Sequence, residues 1–340
     1  MSNRASKEIR PVMLVGESQL ESITFFDSEK FPTIEPEQLP TAFNNRLAQY
    51  PELLPLLQGA ANFDSSIVLH CLTVDAMVQR LLKDVFLRYP LPPDIQLKIL
   101  QSAGWVLMHD FGKVMVHHNP TEARKIYYPT EPINRSITEM GLHWSHSVIS
   151  AALFYNWATL HPVSSSIPIN VWTKHIAAHH YNLRRFLKNF EQYSQLQTGF
   201  HAIIQYFFKL SDVVAATGFP RENNGVHSPT KIKEILHTQW LTDSLLKQHF
   251  PFADSTELEE LKHYLVTALF DTYNSIRHTL PDTAWLGKHR VILSNDLDLD
   301  KSLELFYHLQ RHTYDHNQRE WWELLERMVG DGVFERLQKK

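Results

Sequence analysis

The chain has 340 residues, 43% hydrophobic and 21% charged, with a formal net charge of -4. This is the composition of a globular protein with ample apolar material for a core. The small net charge gives no chain-level sign of a nucleic-acid or anionic-membrane partner. One cysteine, Cys71, excludes a disulfide framework and a thiolate zinc cluster and fits a reducing compartment. Histidines number 20, so any metal chemistry must use imidazole and carboxylate.

The opening MSNRASKEIRPVML lacks the apolar centre of a secretory leader. No apolar run approaches the roughly 20 residues that span a bilayer. A cytoplasmic protein with no membrane partner is therefore expected. Residues 1–40 carry Pro11, Pro32, Pro36 and Pro40 and are read as an N-terminal arm with little regular structure.

Residues 41–220 are expected to form a helical domain. In IVLHCLTVDAMVQRLLKDVF (67–86) apolar side chains recur at three and four, as one helix face requires. The same holds for DIQLKILQSAGWVLMHDFGK (94–113) and HWSHSVISAALFYNWATL (143–160). Glycines number only 11, which favours helices over a strand-and-turn fold. Residues 221–340 are read as a mostly helical C-terminal region. Ser228-Pro229 is a good helix start, and KIKEILHTQWL follows it. RVIL (290–293) has the composition of a short strand, and EWWELLERMVGDGVFERL (320–337) reads as a helix, a glycine turn and a short strand.

The chemistry-bearing residues lie among apolar neighbours. His70 is in SIVLHCLTV, and His109-Asp110 ends an apolar run. His143 and His146 are in LHWSHSV, His175, His179 and His180 in KHIAAHHYN, and Asp212 in YFFKLSDVVAATG. Burying one such group is costly unless it is paired or holds a metal. Neutral imidazoles and carboxylates suit Mn, Fe, Co, Ni or Zn. Two ions about 3.5–4 Å apart need a bridging ligand, which is usually a carboxylate. An adjacent His-Asp pair can supply one terminal ligand and one bridge, and Lys113 lies one helical turn further on.

The ordered set His70, His109-Asp110, His146, His179-His180, Asp212 resembles the HD-domain superfamily of metal-dependent phosphohydrolases. LHCLTVDAMV looks like the family's first-ligand helix and HDFGK like its HD-x-G-K signature. The resemblance covers roughly residues 60–220 and implies an all-α helical bundle with an N-terminal arm and a mostly helical C-terminal extension. It also implies one or two divalent transition-metal ions. His70, His109, Asp110 and Asp212 would hold one. His146 with His179, His180 or both would hold the second, with Asp110 as the bridge. Lys113 would bind substrate phosphate, with Arg184 and Arg185 as further phosphate contacts. The implied activity is hydrolysis of a nucleotide or nucleic-acid phosphoester by a metal-bound hydroxide.

Where many cyclic-dinucleotide phosphodiesterases of that superfamily carry Gly-Tyr-Pro after the histidine pair, this chain has Tyr181-Asn182-Leu183. RLAQYPELLPLLQGAA (46–61) more loosely resembles MobH-type conjugative relaxases, which implies a DNA-processing alternative. A third alternative is a non-catalytic HD scaffold that binds a nucleotide or a partner protein. Taken singly, each residue has a plainer role. His70 would be a core histidine, Asp212 a cap or a partner of Lys209, Lys113 a solvated lysine, and Arg184 and Arg185 part of a solvated face.

Overall fold

A computed structural model describes residues 45–88, 91–114, 143–161, 163, 167–180, 195–216, 229–250, 253–279 and 304–305. Among these residues there are helices and turns and no strand, so the fold class is all-α. The expected arm (1–40), the RVIL strand and the helix-turn-strand of 320–337 lie outside the described residues. No described helix is long and apolar enough to cross a membrane.

The central element is α1, Leu54–Arg88, a helix of 35 residues and so about 52 Å long. It follows a single 3-10 turn at Pro51–Leu53. Ile67, Val68, Cys71, Leu72, Val74, Met77, Val78, Leu81 and Leu82 are all buried. They cover more than one face of the helix, so α1 is enclosed by neighbours, as a helix with apolar residues all round must be. It packs against the 3-10 segment at Gly104–Met108, against α5 (Gln195–Ala215) and against α8 (Ser255–Thr279).

The stretch 94–113 departs from the single helix expected there. Helix α2 runs only over Pro93–Ser102, and Gly104–Met108 is a tighter 3-10 turn. Three contacts explain the break. The Ala103 amide donates to Ile99 and Leu100 carbonyls together, which narrows the last turn. The indole of Trp172 donates from Nε1 to the Gln101 carbonyl at 2.9 Å, taking one of the acceptors a helix end leaves free. The same indole lies so close to Gly104 that a Cβ there would collide with its ring and stand 2.8 Å from the Tyr50 hydroxyl. A residue with a side chain would push Trp172 away.

Helix α3 spans His143–Leu160, the range of the sequence pattern. It is buried on several sides, through Ile149, Ala152, Leu153, Phe154, Asn156 and Trp157, where the pattern predicts one apolar face. Helix α4, Ile169–Ala178, packs along α3 and touches the 3-10 segment. Pro229 opens α6 (Pro229–Ile235) as expected, and the helix widens into a π turn at Leu236–Trp240. Helix α7, Asp243–His249, is capped by Thr242, whose hydroxyl accepts from the Leu245 amide.

One hydrophobic cluster runs from Leu47 through α1, α3, α4 and α5 to Ile276 in α8. Polar contacts between α1 and α8 join it: Arg80 donates to Thr272 Oγ1 at 3.3 Å, and the Tyr264 hydroxyl donates to Asp84.

Candidate metal centre

Five elements bring the candidate ligands together. His70 comes from the middle of α1. His109 and Asp110 come from the turn after the 3-10 segment, His146 from the first turns of α3, and Asp212 from the last turn of α5. His179 and His180 follow the end of α4 at Ala178. That end settles a point the sequence leaves open. Two adjacent histidines on a continuous helix face different ways, but here the helix has stopped, and both rings turn to the same site with centroids 4.1 Å apart.

Six of the candidate ligands form two groups of three, and within each group the atoms that could bind an ion lie within 4.8 Å of one another. The first is His70, His109 and Asp110; the second is His146, His179 and His180. In the first group, His70 Nε2 stands 3.3 Å from His109 Nε2, 3.3 Å from Asp110 Oδ2 and 3.1 Å from Asp212 Oδ1. Asp110 presents its other oxygen, Oδ1, to His146 Nε2 at 3.1 Å and to His179 Nε2 at 3.9 Å. His146 Nε2 and His180 Nε2 are 2.8 Å apart. With ligand bonds of about 2.1 Å, the donor atoms around one ion stand about 3.0–3.4 Å apart. The contacts of His70 and the Asp110–His146 pair match that spacing, and His109 Nε2 stands slightly wider, 3.6 Å from Asp110 Oδ2. Lone pairs aimed at a common point repel unless a proton or a cation sits between them.

Ring orientation is set from behind. His109 Nδ1–H donates to the Val106 carbonyl at 2.7 Å, and His179 Nδ1–H donates to the Ile176 carbonyl at 2.6 Å. Both bonds leave Nε2 as the unprotonated face, the arrangement that oriented metal-binding imidazoles use. His179 Nε2 is buried and has no hydrogen-bond partner. An orphaned buried acceptor aimed into a cluster of donors is the feature that a cation would satisfy. These groups could therefore hold metal ions, and the donor set of imidazoles and carboxylates suits a first-row divalent ion.

Charge states agree with ligation. Burial lowers His109 to about 4 and pushes His179 and His180 well below the usual imidazole range. These three rings are neutral and free to coordinate at pH 7. Burial opposes ionisation of Asp110, but the Lys113 ammonium, His109 and His146 outweigh it and hold the carboxyl well below its ordinary range. Burial likewise opposes ionisation of Asp212, and the hydrogen bond with His70 outweighs it.

Gly112 positions α3 against this turn. Its amide donates to Ser150 Oγ at 2.7 Å, and Ser150 Oγ donates to the His146 carbonyl at 2.8 Å. The glycine of HDFGK thus lets the α3 backbone come close enough for His146 to reach Asp110. Lys113 is found in an ion pair with Asp110.

No family model, curated protein or solved structure matches this chain. The reading of the centre therefore rests on its own geometry.

Every ligand expected from the sequence is in the cluster: His70, His109, Asp110, His146, His179, His180 and Asp212. Arg184 and Arg185 lie outside the described residues. Three features were not legible. Lys209, on α5 one turn before Asp212, is buried with its ammonium over the Phe208 ring. Phe208 sets its ring edge-on against His109 and His179. Behind His179 runs a buried chain: Gln205 Nε2 donates to the His179 carbonyl at 3.4 Å, Gln205 Oε1 meets His175 Nδ1 at 3.4 Å, and His175 Nε2 meets His201 Nδ1 at 3.0 Å. The spacing of His175 and His179, one turn apart in KHIAAHH, is the one sequence signal for that chain.

Proposed function

We propose that this protein is a metal-dependent phosphohydrolase with an HD-type helical core, acting on a phosphoester of a nucleotide or a nucleic acid. The observation that carries the reading is the placement of Asp110. Its two oxygens face two separate ligand groups, as a carboxylate between paired ions must. The resemblance of His70, HDFGK, His146, His179-His180 and Asp212 to the HD ligand order supports it.

In this reading His70, His109, Asp110 and Asp212 would hold one ion, and His146, His179 and His180, with Asp110, would hold a second. When bound, such ions supply Lewis acidity toward a phosphoryl group and a water acidic enough to react near neutral pH. The chain supplies the rest. The Val106 and Ile176 carbonyls fix the two imidazoles in the coordinating tautomer. Buried apolar neighbours such as Phe208 and Trp105 keep bulk water off the ligands. Lys113 holds a positive charge at the Asp110 edge, where it can pass from carboxylate to phosphate.

The test is a panel of phosphomonoesters, phosphodiesters and nucleotides, run on protein reconstituted with Mn or Fe beside Asp110→Ala. Metal-dependent release of phosphate or nucleotide by the wild type, absent from the variant, is expected. A metal-loaded wild type inert on the whole panel sinks the proposal and leaves the scaffold alternative.

A further inference from the structure

Lys209 has no task in the metal-ligand set, and its surroundings make that conspicuous. Its side chain is almost wholly buried, with 8% of the residue exposed. Among the described residues the ion pairs of Asp110 and Asp212 are with Lys113 and with histidines, and Lys209 is in none of them. Its nearest recorded company is the Phe208 ring, whose centroid is 5.4 Å from Nζ. That ring packs edge-on against His109 and His179, with centroids 4.9 and 5.6 Å away. Burial lowers the Lys209 ammonium to about 8, with Asp212 and Asp110 acting the other way, so it is largely charged at neutral pH.

An ammonium largely withdrawn from water and without a counter-ion favours an anion beside it. Asp110 already has Lys113 as its counter-ion. If Asp110 and Asp212 ligate cations, Lys209 is left facing further positive charge. An anion arriving at the centre removes both penalties. We propose that Lys209 is a second phosphate-holding cation of the centre, acting beside Lys113 on the phosphoryl group of the substrate. The assignment rests on the phosphohydrolase reading above. It predicts that the site recognises the phosphate group itself and does so before any chemistry.

The experiment compares the full-length wild type with Lys209→Met, Lys209→Gln and Lys209→Arg after loading with Mn. Metal content is read by elemental analysis, folding by the thermal transition, and affinity for inorganic phosphate by titration calorimetry. The two neutral variants are expected to keep the wild-type metal content and to bind phosphate about tenfold or more weakly, the loss of one charge-assisted hydrogen bond. Lys209→Arg is expected to stay close to wild type. Unchanged phosphate affinity in a folded, metal-loaded neutral variant overturns the assignment. So does a change in metal content with phosphate affinity intact, because Lys209 would then only balance the carboxylates. A wild type that takes up no metal defeats the underlying reading, and this is seen in the metal analysis before phosphate is added.

Discussion

Asp110 Oδ1 stands 3.1 Å from His146 Nε2. This contact joins the turn after the 3-10 segment to α3, and so joins the two ligand groups through one carboxylate. The opposite oxygen of the same residue is 3.3 Å from His70 on α1. The site is therefore an assembly of helices, and each group can be tested by removing its own ligand.

Metal stoichiometry should follow that division. Wild-type protein reconstituted with Mn or Fe is expected to carry about two equivalents, as a paired site does. His146→Ala removes a ligand of the second group only and should leave about one. Asp110→Ala removes the ligand common to both and should leave close to none. Elemental analysis of the three proteins decides it. A variant series with unchanged metal content would mean that the cluster holds no ion.

Gly112→Ala tests the close approach of α3. A Cβ at Gly112 would lie 2.7 Å from the Ser150 amide nitrogen and would meet the His146 carbonyl as well. Backbone of a buried helix yields little, so the chain must separate. The expected cost is about 1–3 kcal/mol in urea denaturation, the range for overpacking. As α3 backs away, His146 should lose its reach to Asp110, and the second metal equivalent should fall with it. Wild-type stability and metal content in this variant would show that the contact has slack.

The pair Arg46–Asp75 ties the segment before α1 to α1 itself. Arg46 Nε and Nη2 donate to the two Asp75 oxygens at 3.0 and 3.2 Å, and both residues are buried. Asp75→Ala leaves a buried guanidinium without its counter-ion and should cost about 3–5 kcal/mol. The double variant Asp75→Ala with Arg46→Met should recover much of that loss, because the stranded charge is gone. A double variant no more stable than Asp75→Ala would put the cost down to lost packing instead.

Acid sensitivity should come in part from a histidine outside the centre. His249 is buried, its ring stacks on Tyr206 with centroids 4.3 Å apart, and neither ring nitrogen has a hydrogen-bond partner. Burial lowers it to about 3 from an ordinary 6.5. Below pH 6.5 the unfolded chain takes up a proton that the folded chain refuses. Stability is thus complete above pH 6.5 and drains away as pH falls toward 3. By pH 5 this one residue should account for a loss of about 2 kcal/mol. His249→Phe keeps the stack and removes the titration. The difference in unfolding free energy between pH 7 and pH 5 should shrink accordingly, and an unchanged difference would rule His249 out.

Much of the site was legible because its residue types are chemically exceptional. Histidines and aspartates inside apolar helical stretches need a partner, and seven of them in one order nominate one another. The helical class was legible for a similar reason: the apolar period of 67–86 and 143–160 is a local property of the chain. The break at Ala103–Gly104 was not, because DIQLKILQSAGWVLM keeps a helical period throughout. Only the Trp172 ring, 68 residues beyond Gly104 in the chain, makes the glycine and the tightened turn necessary.

The sequence by itself determined that the protein is helical, that any metal ligands are imidazoles and carboxylates, and which residues are the candidates. Tertiary structure decided how they meet. It stopped α4 at Ala178, so that His179 and His180 converge where an unbroken helix would have split them. It turned one oxygen of Asp110 to each candidate ligand group and set the Lys209 ammonium over the Phe208 ring, which packs against His109 and His179. Residue type and period are carried by a few neighbours along the chain. Distances of about 3 Å between atoms on five separate elements exist only once the whole core has packed.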